Sequence, residues 1–257
     1  MRLSDFFYKN PRIAVAFSGG VDSSYLLYAA KTAGCDVRAY FIKSQFQPQF
    51  ELDDAARLAG SLGIPLTVRG LDVLRGQNVA QNPPDRCYYC KSAILSELWG
   101  LACADGFSVL CDGTNADDDE NDRPGMRALR EQGAVSPLRG CGLTKADIRR
   151  LSKQAGLFTH DKPSYACLAT RIPSGVMITE ELLEKTGRAE NVLFEMGFSG
   201  FRVRIVPRQG DGSCAMRFAA LVQIPGGQWD KAAARRADIL AALKPGYDGV
   251  MLDMEVR

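Results

Sequence analysis

Histidine is almost missing from this sequence. His160 is the only one in 257 residues, which excludes a metal centre built from several imidazoles and allows a Ser-His-Asp triad only around that single ring. Net charge is also nearly absent: 32 Lys and Arg face 30 Asp and Glu, so composition gives no broad basic surface for nucleic acid, and only a local patch remains compatible. No apolar run reaches the length of a membrane span. The segment Met1 to Asn10 carries Asp5 and has no apolar core ahead of a small-residue cleavage site, unlike a secretory leader. Internal repeats and low-complexity stretches are missing too. These absences predict a cytoplasmic chain whose thiols stay reduced, so its eight cysteines are weighed as ligands, nucleophiles or small buried residues rather than as disulfides. The rest of the composition, 46% hydrophobic and 24% charged, suits a globular protein of one large α/β domain or two smaller ones.

Arg12 to Phe17 is a short apolar run that ends at Ser18-Gly19-Gly20, and Tyr25, Leu26, Tyr28 and Ala29 then fall at helical spacing across Asp22 to Lys31. This predicts strand, glycine turn, helix. Strands are also expected at Asp36 to Ile42, Leu66 to Val68 and Phe107 to Cys111, with helices over Glu51 to Leu62 and after Cys87, an alternation that predicts a parallel sheet. Thr144 and Asp147 form a capping signal ahead of Ile148, Leu151 and Ala155. The prolines and glycine at Pro163, Pro173 and Gly175 mark a boundary. The expected division is 1–172 and 173–257, the second part an α+β module with a helix from Thr179 to Met196, strands at Phe201 to Val206 and Cys214 to Val222, a helix from Asp230 to Leu243 and a last strand at Gly249 to Met254.

Four segments carry chemistry. In Ser18-Gly19-Gly20-Val21-Asp22-Ser23, backbone N–H groups and the positive end of a helix converge on any anion in the turn, glycines permit close approach, and two hydroxyls add donors. The pattern is not GxxxxGK[ST]; it resembles the pyrophosphate loop of the ATP pyrophosphatases, which split ATP between the α and β phosphates. Cys87-Tyr88-Tyr89-Cys90-Lys91 follows Asn82-Pro83-Pro84-Asp85-Arg86. A CxxC alone is compatible with packing, with ligation or with a dithiol, although a structural zinc needs four ligands and no thioredoxin-like unit surrounds this pair. Cys167, bracketed by Pro163 and Pro173 with Lys162 and Arg171 nearby, is a candidate reactive thiol or a buried small residue. Cys35, Cys103, Cys111, Cys141 and Cys214 lie in or beside apolar runs and are expected to pack. Asp112-Gly113-Thr114-Asn115-Ala116-Asp117-Asp118-Asp119 follows a strand and offers hard oxygens for Mg²⁺, while its Asp117 to Asp119 run reads as a solvated loop.

Taken in order, SGGVDS, NPPDRCYYCK, DGTNADD with RPGMRAL, SPL with GLTK, and KPSYACLATRIPSG resemble the LarE family over nearly the whole chain. Members are ATP-dependent sulfur transferases acting on a pyridinium biscarboxylate mononucleotide during synthesis of the nickel-pincer nucleotide cofactor. The resemblance implies a PP-loop ATP pyrophosphatase fold, a parallel sheet with helices on both faces, plus a small C-terminal α+β domain for substrate binding and oligomer contacts. It implies that Ala16, Ser18, Gly19, Gly20, Asp22, Ser23, Ile42 and Gly113 bind ATP with Mg²⁺. It implies that Lys91, Thr170, Arg171, Glu190, Arg202 and Arg204 bind substrate, with Asp22, Cys87, Cys90 and Cys167 in the chemistry. Family members differ in sulfur source: either one cysteine, here Cys167, surrenders its sulfur, or three, here Cys87, Cys90 and Cys167, hold a [4Fe-4S] cluster that carries an exchangeable sulfide. The presence of all three favours the cluster. A sulfide donor and a homo-oligomer are then expected, and neither a membrane nor nucleic acid. His160 receives no role.

Competing readings are a tRNA thiolase, which calls for basic surface or added RNA-binding modules, and a synthetase that amidates an adenylate, which leaves the three cysteines unexplained. A nucleotide-binding regulatory module without turnover is the non-enzymatic reading.

Overall fold

The computed structural model describes residues 2–118, 124–208 and 217–255. Its contacts divide the chain into two units: residues up to Val79 with Pro83–Lys162, and Ala80–Asn82 with the chain from Pro163 onward. Residues 163–172, which hold Cys167 and Arg171, therefore group with the second unit and not with the first.

The first unit runs α1 (Leu3–Lys9), β1 (Arg12–Ala16), α2 (Val21–Thr32), β2 (Asp36–Lys43), α3 (Gln49–Leu62) and β3 (Leu66–Gly70). Then come a helical turn α4 (Gln77–Ala80), whose last residue groups with the second unit, the long α5 (Arg86–Ala104) and the two-residue β4 (Leu110–Cys111). It ends with α6 (Pro124–Glu131), α7 (Pro137–Gly140) and α8 (Lys145–Gln154). All strand pairs are parallel, in the order β3-β2-β1-β4, with Ala14 opposite Arg38 on one side and Leu110 on the other.

Both faces of this sheet are covered, which is why β1 reads as an unbroken apolar run. Ile13 and Val15 pack with residues of α1, α2, α3 and α8, whereas Ala14 packs with Leu95, Leu98 and Ala102 of α5 and Met126, Ala128 and Leu129 of α6. The Thr144 signal is realised as a capping box: the Thr144 hydroxyl accepts from Asp147 N at 3.2 Å while the Asp147 carboxylate accepts from Thr144 N at 3.4 Å. The expected strand Phe107 to Cys111 contracts to its last two residues. Its register on β1 is limited to Leu110 and Cys111, and the Phe107 ring turns into the core, edge-on to Tyr40. Burial, with the neighbouring Asp112 charge, pushes the Cys111 thiol up, so it stays neutral in the core.

The second unit holds α9 (Glu180–Glu195), β5 (Arg202–Arg208), β6 (Arg217–Gln223), α10 (Trp229–Ala234), α11 (Arg236–Leu243) and β7 (Val250–Leu252). Its sheet is mixed: β5 and β6 are antiparallel with Val203 opposite Val222, and β6 and β7 are parallel with Ala220 opposite Val250. The Thr179 hydroxyl caps α9 by accepting from Leu182 N at 3.2 Å. The expected single helix over Asp230 to Leu243 is two helices, broken at Arg235, whose backbone (φ −101°, ψ 17°) leaves helical geometry and whose guanidinium pairs with Asp238 at 3.2 Å. The expected start of β6 at Cys214 lies outside the described residues. Among the described residues no helix is long and apolar enough to cross a membrane.

Candidate active site

The first unit carries its chemistry at the carboxyl end of the parallel sheet. Because β2 and β3 lie on one side of β1 and β4 on the other, the loops that leave β1 and β4 diverge there, and ligands of doubly wound sheets bind at such switch points. The β1 loop is Ser18 to Ser23. Gly19 has φ +71°, and a Cβ on it would stand 2.9 Å from the Glu51 carbonyl oxygen in the first turn of α3. Gly20 is the N-cap of α2, in extended conformation, and no side chain caps that helix. The opening N–H groups are therefore left for an anion. Ser18 and Ser23 shape the turn: their hydroxyls lie 3.2 Å apart, Ser23 Oγ donates to Gly20 O at 3.3 Å, and Gly20 N donates to Ser18 Oγ at 3.4 Å. Gly113, from the loop after β4, presses on the same helix end, where a Cβ would meet Ser23 N at 2.8 Å.

Two lysines complete this edge: Lys162, read from sequence only as a neighbour of Cys167, and Lys145, which sequence reasoning did not single out. Lys162 Nζ donates to Gly19 O at 3.2 Å and pairs with Asp54 at 2.6 Å, its side chain 16% exposed. Its backbone is pinned by Arg149, which donates to His160 O at 2.7 Å and Lys162 O at 2.9 Å. Lys145 pairs with Asp22, whose other oxygen accepts from Asn115 Nδ2 at 3.4 Å. Lys162 and Lys145 stand in the KPS and GLTK segments, so the signal was present as motif and missing only as role. Asp112 is buried and takes hydrogen bonds from Thr114 Oγ1 at 2.5 Å and Ser136 Oγ at 2.6 Å. Asp117 and Asp118 accept from Lys145 N at 2.7 Å and Asn115 N at 3.0 Å. They shape the loop while Asp117 stays exposed and Asp118 half-buried, in keeping with a solvated run; Asp119 lies outside the described residues. Ala16 and Ile42 sit on the face of the sheet covered by α5, Ile42 within its apolar cluster and Ala16 packed against it. Burial pulls the ammonium of Lys43 at the end of β2 below its usual range, against the charges of Glu51 and Asp53.

An ammonium held on a loop carbonyl and one carboxylate is placed to exchange that carboxylate for phosphate oxygens. Replacing Lys162 with methionine should weaken a non-hydrolysable ATP analogue at least about tenfold while AMP affinity stays within about twofold. Calorimetric titration of both nucleotides checks it.

The CxxC opens α5. Cys87 is exposed and Cys90 buried, three residues apart on one helix. Arg86 is only 7% exposed, donates from Nη2 to Cys87 Sγ at 3.5 Å, lies 5.7 Å from the Phe46 ring centroid, and leaves Nη1 buried without a partner. Lys91 lies one turn further along α5. Gly125 of α6 packs onto it: a Cβ there would meet Lys91 Cδ at 3.1 Å. Of the cysteines expected to pack, Cys35 and Cys111 are buried and Cys141 is half-buried. Cys103 is exposed near the end of α5, a correction, because the apolar run around it turns its other positions inward; Cys214 lies outside the described residues. No described cysteine is in a disulfide. Alkylation of native protein under reducing conditions should therefore modify Cys87 and Cys103 and spare Cys35 and Cys111, read by peptide mass spectrometry. His160 turns its Nδ1 to Leu157 O at 3.0 Å, a local turn contact.

In the second unit Cys167 precedes a 3₁₀ turn, Leu168–Arg171. Its carbonyl accepts from Thr170 N at 3.0 Å and Thr170 Oγ1 at 2.8 Å. Arg171, 1% exposed, uses its whole fork internally: Nε to Glu190 Oε1 at 2.6 Å, Nη2 to Glu190 Oε2 at 3.2 Å, and Nη1 to Thr170 Oγ1 at 2.8 Å. Glu190, 4% exposed, also accepts from Tyr165 OH at 2.6 Å and Val203 N at 2.9 Å. Burial works against the Arg171 charge, but the hydrogen bond and charge of Glu190 outweigh it and hold the pKa above its ordinary value. Arg171 and Glu190 thus form a buried clamp one turn after Cys167. Arg204 donates to Thr170 O at 3.0 Å and Gln223 Oε1 at 2.7 Å, and Arg202 begins the same strand, half-buried. Within either unit, no three described His, Cys, Asp or Glu side chains form a group able to hold a metal.

Residues 11–73 match the family model described as the tRNA methyl transferase HUP domain. An uncharacterized protein of Synechocystis is 37% identical over 203 residues, 79% of this chain and 76% of that one. Pyridinium-3,5-bisthiocarboxylic acid mononucleotide synthase of Lactiplantibacillus plantarum is 34% identical over 195 residues, 75% of this chain and 71% of its own. A tRNA-specific 2-thiouridylase, MnmA of Pseudothermotoga lettingae, is 27% identical over 188 residues, 59% of this chain and 54% of that enzyme.

Proposed function

The chain belongs to the LarE-like family of PP-loop, ATP-using sulfur transferases, and from that premise we propose that it adenylates the carboxylates of pyridinium-3,5-biscarboxylic acid mononucleotide and converts them to thiocarboxylates. The observation that carries this reading is the uncapped start of α2, walled by Gly19 and Gly113, with Lys162 and Lys145 at its rim.

ATP lies with its phosphates on the Ser18 to Ser23 turn. Lys162 and Lys145 leave Asp54 and Asp22 for the phosphate oxygens, and Asp22 turns to the Mg²⁺ that arrives with ATP. A substrate carboxylate oxygen attacks the α-phosphorus, the bond to the bridging oxygen breaks, and pyrophosphate departs. The acyl adenylate so formed has an electrophilic carboxyl carbon. A sulfur nucleophile adds there and AMP leaves, exchanging a C–O bond for a C–S bond. The same sequence on the second carboxylate completes the product.

For the sulfur, the donor set fits a [4Fe-4S] cluster: Cys87 and Cys90 are reduced thiols on successive turns of one helix, and an N–H of Arg86 reaches the first sulfur. Cys87, Cys90 and Cys167 would hold it, and when bound it supplies an exchangeable sulfide at the iron no protein thiolate occupies. The buried Arg171–Glu190 clamp fixes the loop that presents Cys167. Sacrifice of the Cys167 sulfur is the alternative, and it leaves Cys87 and Cys90 without a task. Iron and acid-labile sulfide after anaerobic reconstitution support the cluster; iron-free protein with Cys167 converted to dehydroalanine after turnover supports sacrifice.

The thiouridylase relatives favour one second reading, a tRNA acceptor. Pyrophosphate release from ATP is measured with the pyridinium mononucleotide and, separately, with unmodified tRNA. Release with the mononucleotide alone is expected; release with tRNA alone would replace the proposal, and release with neither would leave a binding module. The expected cytoplasmic site, homo-oligomer and sulfide donor accompany this proposal.

A further inference from the structure

Asn82 is the one described residue other than glycine with a left-handed backbone, φ +54°. It is 3% exposed and belongs to the second unit. Its amide nitrogen donates to three main-chain oxygens: Ile172 at 3.3 Å, Pro173 at 2.7 Å and Val176 at 3.2 Å. Its own carbonyl accepts from Gly175 N at 2.9 Å, and Ala80 O accepts from Ile178 N at 2.7 Å. A side chain that shares its donors among three carbonyls ties the segment 80–82 to the chain from Ile172 to Val176. Asparagine suits the position because it tolerates positive φ and brings a short double donor, where aspartate would set a negative charge against three carbonyl oxygens.

The chain position of this clasp gives it a purpose. Asn82 stands five residues before Cys87, and Ile172 stands five residues after Cys167. Between Asn82 and Cys87 lie Pro83 and Pro84, whose rings fix φ, and the turn in which Arg86 N donates to Pro83 O at 3.0 Å, so few soft torsions separate the clasp from the CxxC.

We propose that Asn82 is a positioning residue for sulfur transfer, a clasp that fastens the chain entering Cys87 and Cys90 onto the chain leaving Cys167, while activation by ATP proceeds without it. The proposal rests on the function proposed above. Asn82→Gly keeps the left-handed backbone accessible and removes the amide. Substrate-dependent pyrophosphate release should remain within about twofold of wild type, while thiocarboxylate formed per pyrophosphate falls at least about tenfold. A merely structural role moves both together, and parallel losses or an unchanged ratio would overturn the proposal. A variant-free measurement stands beside it: in wild-type protein the Gly175 and Ile178 amides should exchange with deuterium slowly, and exchange as fast as an open loop refutes the clasp whether or not the glycine variant folds. If wild type releases pyrophosphate and forms no thiocarboxylate, the functional reading fails, and hydrogen exchange still judges the clasp.

Discussion

Replacing Gly113 with alanine should slow pyrophosphate release from ATP by about a hundredfold or more, because displacement of a reacting group by around 1 Å costs that much. The new Cβ would stand 2.8 Å from Ser23 N and 3.1 Å from Ser23 Cα, both backbone atoms in the first turn of α2. No rotamer relieves such a contact, so the helix start must move, and with it the N–H groups that the proposal sets against the phosphates. The stability cost should stay near 1–3 kcal/mol, the usual range for overpacking. Gly34→Ala is the control: Gly34 has φ +81°, and its Cβ would meet nothing within 4 Å. That variant carries backbone strain without a displaced helix, so its ATP turnover should match wild type while its melting temperature falls. Equal loss of turnover in both variants would show that the effect of Gly113 is general destabilisation.

Arg171→Met should destabilise the second unit by about 3–5 kcal/mol, the cost of leaving one partner of a buried pair uncompensated. Glu190 would keep Tyr165 OH and Val203 N as donors, and no cation would balance its charge. Arg171→Lys keeps the charge and loses the fork, so it should fall between. The double variant Arg171→Met with Glu190→Leu should recover part of the loss, because removing both charges also removes the desolvation penalty. Urea unfolding of all four proteins, followed by a probe in the second unit, measures the series. A loss below about 1 kcal/mol for Arg171→Met would place the pair among exposed ion pairs.

Sequence made the phosphate loop legible because its signal is local: an apolar strand, two glycines and a helix in consecutive residues. Thr144 and Asp147 were legible for the same reason, since a capping box spans four positions. Arg171 and Glu190 were found as residues and not as a pair, because 19 residues separate them and only packing shows that their charges face each other. Phe107 reads as strand by type and is taken by the core against Tyr40. Asp230 to Leu243 reads as one helix by periodicity and breaks at Arg235, a residue with no helix-breaking chemistry of its own. Lys162 reaches its partners Gly19 and Asp54 over more than a hundred residues, beyond any local pattern.

The central claim is that ATP cleavage activates a carboxylate for sulfur. Anaerobic incubation of the reconstituted protein with ATP and pyridinium-3,5-biscarboxylic acid mononucleotide, followed by mass spectrometry of all small molecules, tests it most directly. The account predicts AMP, pyrophosphate and new thiocarboxylate groups in equal amounts, with oxygen exchanged for sulfur at the carboxylates. AMP and pyrophosphate formed with no sulfur in the product, or sulfur incorporated without AMP, would contradict it.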